Sequence, residues 1–190
     1  GHGDLKPSNV MAGGYGEVLV LDWGLAKILG KGGSSPVRSL RTEGNELTRH
    51  GSIAGTAFYM PPEQAAGRLE SIGERSDVYS LGAILYELLS GFQPYHDHSM
   101  AYFLARVEDH PPAPLGSLLH TAGLLERPEE LVAACEKAMA RRPEDRHGSA
   151  EELGAAVEDW LDGARKRSHA ISIVERAGDK LAMADRMRAQ

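Results

Sequence analysis

The stretch His2-Gly3-Asp4-Leu5-Lys6-Pro7-Ser8-Asn9 brings a carboxylate, an ammonium and an amide into close succession. Taken singly, each is a residue that a solvated loop or a turn accommodates. The sequence that follows gives them company. Val10-Met11, the turn cluster Ala12-Gly13-Gly14-Tyr15-Gly16 and the run Val18-Leu19-Val20-Leu21 read as a hairpin over residues 10–22, because β-branched and aliphatic runs flank a glycine-rich turn. The second run ends in Asp22-Trp23-Gly24, so another carboxylate lies across the hairpin from the first. Further on, Gly55-Thr56-Ala57-Phe58-Tyr59-Met60-Pro61-Pro62-Glu63 forms a third compact segment.

Around these segments there is enough chain for one sizeable domain with a hydrophobic core: 190 residues, 42% hydrophobic and 25% charged, close to the soluble globular average and far from a disordered composition. The net charge of −6 speaks against nucleic acid or an anionic membrane as the main partner, since both attract basic surfaces. The single cysteine, Cys135, leaves no intramolecular disulfide. It lies in the apolar run Leu131-Val132-Ala133-Ala134-Cys135 and reads as a buried thiol. No stretch approaches the ~20 apolar residues of a membrane span, and Gly1-His2-Gly3-Asp4 is unlike a signal peptide. A cytoplasmic location is the expectation, and a span in a longer parent is compatible with it.

Between residues 29 and 55 the composition shifts to Gly, Ser, Thr and Arg, which predicts a long loop. Helices dominate afterwards. Ser76-Asp77 opens a segment with Val78, Leu81, Ile84, Leu85, Leu88 and Leu89 at helical spacing, closed by Gly91, and so apolar a circumference predicts a central core helix. Further helices are expected over 99–108 and 129–140. Ser149 with Glu152 reads as a capping box for a helix to about Asp162. After Gly163, the tail residues Ile171, Ile173, Val174, Leu181, Met183 and Met187 sit among charges, as on a surface or partner-binding helix.

The three segments together resemble a known family. His2 to Asn9 matches the protein kinase catalytic loop H-R-D-L-x-x-x-N at every fixed position but the second. Asp22-Trp23-Gly24 resembles the metal-binding D-F-G with Trp for Phe, and the segment ending Pro61-Pro62-Glu63 resembles the one ending A-P-E. The chain is similar to the C-terminal lobe of bacterial-type serine/threonine kinases over residues 2–162. That resemblance implies a mainly α fold with a short β-hairpin. Within it come the catalytic loop at 2–9, the metal motif at 22–24, the activation segment at 22–63 and a helical subdomain at 74–162. Residues 163–190 are left as a helical extension.

What the family does explains why these residue types recur. Phosphoryl transfer is mostly positioning and charge stabilisation. The resemblance implies that Asp4 accepts or orients the proton of the attacking hydroxyl, that Lys6 offers its ammonium to the transferring phosphate, and that Asn9 and Asp22 hold Mg²⁺. ATP and Mg²⁺ are the implied cofactors, and a protein Ser or Thr the implied substrate. Thr56 resembles the threonine that contacts the catalytic aspartate and lysine. His2, Gly24, Glu63, Asp77 and Arg146 match supporting positions: Asp77 braces the catalytic loop backbone, and Arg146, in Arg142-Pro143-Glu144-Asp145-Arg146, pairs with Glu63.

The departures matter as much. Gly3 stands where the family usually has the arginine that receives a phosphorylated activation loop, so activation by that route is not expected from Ser34, Ser35, Ser39, Thr42, Thr48 or Ser52. The glycine-rich loop, the phosphate-pairing lysine and its helix glutamate all precede the catalytic loop in the family. Neither Gly14-Tyr15-Gly16-Glu17-Val18-Leu19 nor Lys27 replaces them. The chain is therefore expected to lack the N-terminal lobe, to leave part of the central helix bare, and to be a poor enzyme alone. The alternative is a pseudokinase or interaction module, with residues 165–190 meeting a helical partner. His96-Asp97-His98 reads as a polar loop, and His110-Pro111-Pro112-Ala113-Pro114 as a rigid linker.

Overall fold

The computed structural model describes residues 1–23, 56–96, 99–107, 109–121 and 128–188. It is mainly helical, with one two-stranded antiparallel sheet. The loop expected over 29–55, Gly24, Asp97 and His98 lie outside the described residues.

The hairpin forms where the sequence places it, with shorter strands: β1 (Val10–Ala12) pairs with β2 (Val18–Val20), Val10 opposite Val20 and Ala12 opposite Val18. The turn closes through the Gly13 N–H on the Glu17 carbonyl at 2.8 Å. A one-turn 3-10 helix, Pro7–Asn9, leads into β1.

Two short elements precede the core helices: a 3-10 turn over Thr56–Tyr59 and α1 (Pro62–Ala65). The core helix α2 (Glu74–Ser90) starts two residues earlier than Ser76. Ser76 is not the residue before the helix but lies inside its first turn, where its hydroxyl accepts the Gly73 N–H at 3.1 Å. Then follow α3 (Met100–Arg106), α4 (Leu115–Thr121), α5 (Glu129–Ala138) and α6 (Ala150–Arg188).

The core sits between α2, α4 and α5, where Tyr79, Ala83, Tyr86, Leu115, Cys135 and Met139 pack together. At Gly82 the two helices come so close that a Cβ would lie 2.7 Å from the Ala138 Cβ; the Cys135 thiol reaches the Gly82 carbonyl at 3.3 Å. Burial pushes that thiol up to about 12, so Cys135 is structural. A second cluster gathers Phe58, Ala65, Tyr95, Phe103 and Val107. There Phe103, fully buried, meets Phe58 and Tyr95 edge-on. One such side chain contributes about 1.5–3 kcal/mol. These contacts hold Thr56–Tyr59 and α1 against the helical body.

Part of α2 is bare: of the apolar positions read along it, only Val78 is fully buried, and Leu88 remains 78% exposed. Two other expectations need correction. α4 was not foreseen; the Tyr86 hydroxyl, donating to the Ala113 carbonyl at 2.8 Å, anchors the segment before it. The helix from Ser149 does not stop near Asp162 but runs 39 residues to Arg188, roughly 58 Å at 1.5 Å per residue. A single Gly163 costs only about 1 kcal/mol against Ala, and strong helix formers flank it, with Arg165 paired to Asp162 at 3.0 Å. Every described side chain beyond Ala164 is exposed. No helix among the described residues is long and apolar enough to cross a membrane.

One buried ion pair crosses this body. Arg146 and Glu63 meet through two parallel bonds of 2.8 Å, with side chains 0% and 1% exposed. Arg146→Ala strands the Glu63 carboxylate, and a loss of about 3–5 kcal/mol is expected, read as a fall in melting temperature on the order of 10 °C; an unchanged melting curve contradicts this. Glu152 offers a pH test. The Gly148 N–H, first, and Lys137, second, hold its carboxyl down at about 2 against an ordinary 4.5. A depressed carboxylate stabilises above its unfolded value and loses that contribution as pH falls toward the folded one. Melting temperature should drop between pH 4.5 and 2 more steeply in the parent than in Glu152→Gln.

Candidate active site

The residues from His2 to Asn9 contain little regular structure, so their shape comes from side chains that grip the backbone. Asp77, in the first turn of α2, accepts the His2 N–H on one carboxylate oxygen at 2.7 Å and the Gly3 N–H on the other at 2.9 Å. A carboxylate is favoured there by the helix dipole. Gly3 has φ +81°, a conformation that costs a side-chain-bearing residue about 1–2 kcal/mol and glycine almost nothing.

His2 is buried and links two of the motifs. Its Nδ1 accepts the Asp4 N–H at 3.3 Å, which leaves the Nε2–H to donate to the Leu21 carbonyl at 2.9 Å and fixes the neutral tautomer. Its ring also lies 4.7 Å from that of Trp23. The Leu21 N–H in turn donates to the Asn9 carbonyl at 2.8 Å. The chain thus passes Asn9 immediately before Asp22, which adopts φ +56°, a conformation that Asp tolerates better than most residues.

Asp4, Lys6 and Asn9 form one cluster. Lys6 Nζ donates to Asp4 Oδ2 at 2.7 Å, and Asn9 Nδ2 donates to the same oxygen at 3.2 Å and to the Asp4 carbonyl at 2.9 Å. The Asp4 side chain is 23% exposed, so a substrate group can reach it. With the Asn9 amide nitrogen engaged on Asp4, its Oδ1 is the atom left for a cation. Among the described residues no three His, Cys, Asp or Glu side chains converge as a metal cage. The Asn9 amide oxygen and the Asp22 carboxylate are hard-oxygen donors of the kind that would suit Mg²⁺, an ion that keeps several waters and takes its other ligands from phosphates.

The supporting residues lie behind this cluster. Glu63 in α1 accepts from Arg146 and also from the Ser76 hydroxyl at 2.8 Å. Arg146 gives its remaining donors to the carbonyls of Ala140, Arg75 and Arg141, and its guanidinium lies 5.0 Å from the centre of the Tyr79 ring. Thr56 begins the 3-10 turn before Met60; its side chain, like Gly24, lies outside the described residues. Sequence reasoning missed Gln64, whose Nε2 donates to the Gly3 carbonyl at 2.9 Å. It also missed Ser76 as a ligand of Glu63. Both adjoin residues that the motifs had singled out, which is the one signal that pointed to them.

Comparison with known proteins points to one family. The family model described as a protein kinase domain matches residues 1–155. The serine/threonine-protein kinase PknD of Protochlamydia amoebophila is 37% identical over 172 residues, 85% of this chain and 16% of that protein. PknB of Mycobacterium tuberculosis is 36% identical over 157 residues, 81% of this chain and 22% of that kinase. A probable serine/threonine-protein kinase of Streptomyces coelicolor, SCO3848, is 36% identical over 163 residues, 85% and 21% respectively. The chain spans about a fifth of the length of these curated relatives. It belongs to the serine/threonine protein kinase family.

Proposed function

We propose that residues 1–162 are the C-terminal lobe of a serine/threonine protein kinase and that Asp4, Lys6, Asn9 and Asp22 carry its phosphoryl transfer. The observation that supports this most is the convergence of Lys6 and Asn9 on one oxygen of a partly exposed Asp4. In this reading a protein Ser or Thr hydroxyl attacks the γ-phosphorus of ATP, and the bond to the leaving ADP oxygen breaks. The proton of the hydroxyl passes to Asp4. Lys6 and Asn9 hold the Asp4 carboxylate in one orientation, so that its other oxygen is the one offered to the incoming hydroxyl. The Lys6 ammonium also stands beside the path of the transferring charge. Asn9 and Asp22 would hold Mg²⁺, which when bound neutralises charge on the phosphates.

Retention of all four groups favours a working kinase over the pseudokinase alternative. The clamp on ATP is expected from a further lobe of the parent protein. The part of α6 beyond Asp162 is an extension, and its exposed Ile171, Ile173 and Val174 are where a helical partner would dock.

The test uses the full-length parent. Asp4→Asn should lower kcat by about 10²–10⁴-fold, the usual contribution of a positioned acid or base, with melting temperature nearly unchanged; an Asp4→Asn enzyme as fast as the parent refutes the assignment. On the 190-residue chain alone, ATP with Mg²⁺ should leave the melting temperature unmoved, whereas a clear upward shift shows that this lobe binds nucleotide unaided.

A further inference from the structure

The peptide bond between Gly3 and Asp4 is held at both of its polar atoms. Its carbonyl oxygen accepts from Gln64 Nε2 at 2.9 Å, and its N–H donates to His2 Nδ1 at 3.3 Å. The orientation of that peptide plane sets the direction in which the Asp4 side chain leaves the backbone. The preceding N–H, on Gly3, is already fixed by Asp77. Of the two contacts on the Gly3–Asp4 plane, the Gln64 bond is the shorter, and it comes from a different part of the chain.

Gln64 is well placed to act as a fixed point. It is 6% exposed and follows Glu63 in α1, whose carboxylate is locked by Arg146 and Ser76. A carbonyl oxygen accepts only from an N–H or O–H, so the glutamine amide has one usable orientation here. Glutamate would set a carboxylate oxygen against the carbonyl, and methionine would keep the length without the donor.

We infer that Gln64 is a positioning residue for Asp4, tying the end of the 56–65 segment to the catalytic loop through an uncharged bond that needs no phosphate. Position 3 carries no side chain, and the amide link reaches the backbone there without one. The inference rests on the phosphoryl-transfer reading above and extends it to how Asp4 is held.

Two measurements test it. In the 190-residue chain labelled with ¹³C at the Gly3 carbonyl, Gln64→Met should move that resonance, as expected when a carbonyl loses its hydrogen bond. In the full-length parent, Gln64→Met and Gln64→Glu should lower kcat by about 10- to 100-fold, the scale of a small misplacement of a reacting group. KM for ATP should change little, and in Gln64→Met the melting temperature should fall by only a few degrees, the scale of one lost hydrogen bond, since the Glu63–Arg146 pair is not touched; Gln64→Glu, which sets a carboxylate against the carbonyl, is expected to lower it further. An unmoved Gly3 resonance overturns the bond. A moved resonance with unchanged kcat overturns the positioning role, as does a loss of kcat that only tracks a lower melting temperature. A parent without kinase activity overturns the phosphoryl-transfer reading and the positioning role with it, and the carbonyl resonance still decides whether the bond exists.

Discussion

Glu63 and Arg146 bury opposite charges where neither is solvated, and the rest of the helical body is arranged around that fact. Removing such ions from water costs several kcal/mol each, and mutual attraction offsets this only when the remaining donors and acceptors are satisfied. Here they are. A guanidinium has five N–H donors, and Arg146 makes five hydrogen bonds: two to Glu63 and one each to the carbonyls of Ala140, Arg75 and Arg141. Those carbonyls belong to the start of α2 and to the link between α5 and α6. The pair therefore joins three separated stretches of chain at one point. It also explains how α1 persists, since a helix of four residues has no stability of its own and Glu63 pins it.

From that point the grip passes to the catalytic loop through immediate neighbours. Gln64 follows Glu63 and holds the Gly3 carbonyl; Asp77 follows Ser76, itself bonded to Glu63, and holds the amides of His2 and Gly3. A loop with only one 3-10 turn of its own is thus suspended from two adjacent footholds on the helical body. His2 carries the restraint onward to Leu21, one residue before Asp22. The two carboxylates read from the sequence are related through backbone contacts, not by touching each other.

What was legible in the sequence was what chemistry or periodicity restricts. Asp4, Lys6, Asn9 and Asp22 stood out as candidates because the phosphoryl transfer proposed for them limits the residue types that would serve it, and the body of α2 stood out through its helical spacing. Gln64 did not, because a neutral side chain bonding one distant carbonyl leaves no pattern along the chain. α4 followed a proline-rich stretch that reads as linker, and its burial of Leu115 depends on contacts with α2 and α5. The continuity of α6 through Gly163 escaped for an energetic reason: a penalty of about 1 kcal/mol is small beside the propensity of the residues around it. Leu88 shows the limit of periodicity, since helical spacing reports which positions are apolar and not whether anything covers them.

Gly3 is where the departure from the family pattern and the geometry meet. An arginine there would have to adopt φ near +81°, at a cost of about 1–2 kcal/mol, and would add a cation that needs its own partner. Glycine takes the same backbone conformation freely, and its freedom is then removed by Asp77 on its N–H and Gln64 on its carbonyl. A position that had merely decayed would be expected to leave its surroundings slack. Instead, both polar atoms of the glycine are occupied, by side chains anchored directly or through Ser76 to the buried ion pair. Under the proposed phosphoryl-transfer reading, the absent guanidinium and the presence of Asp4, Lys6, Asn9 and Asp22 are therefore compatible: no side chain at position 3 would sense a phosphate, and the bonds from Asp77 and Gln64 would restrain the backbone that carries Asp4 instead.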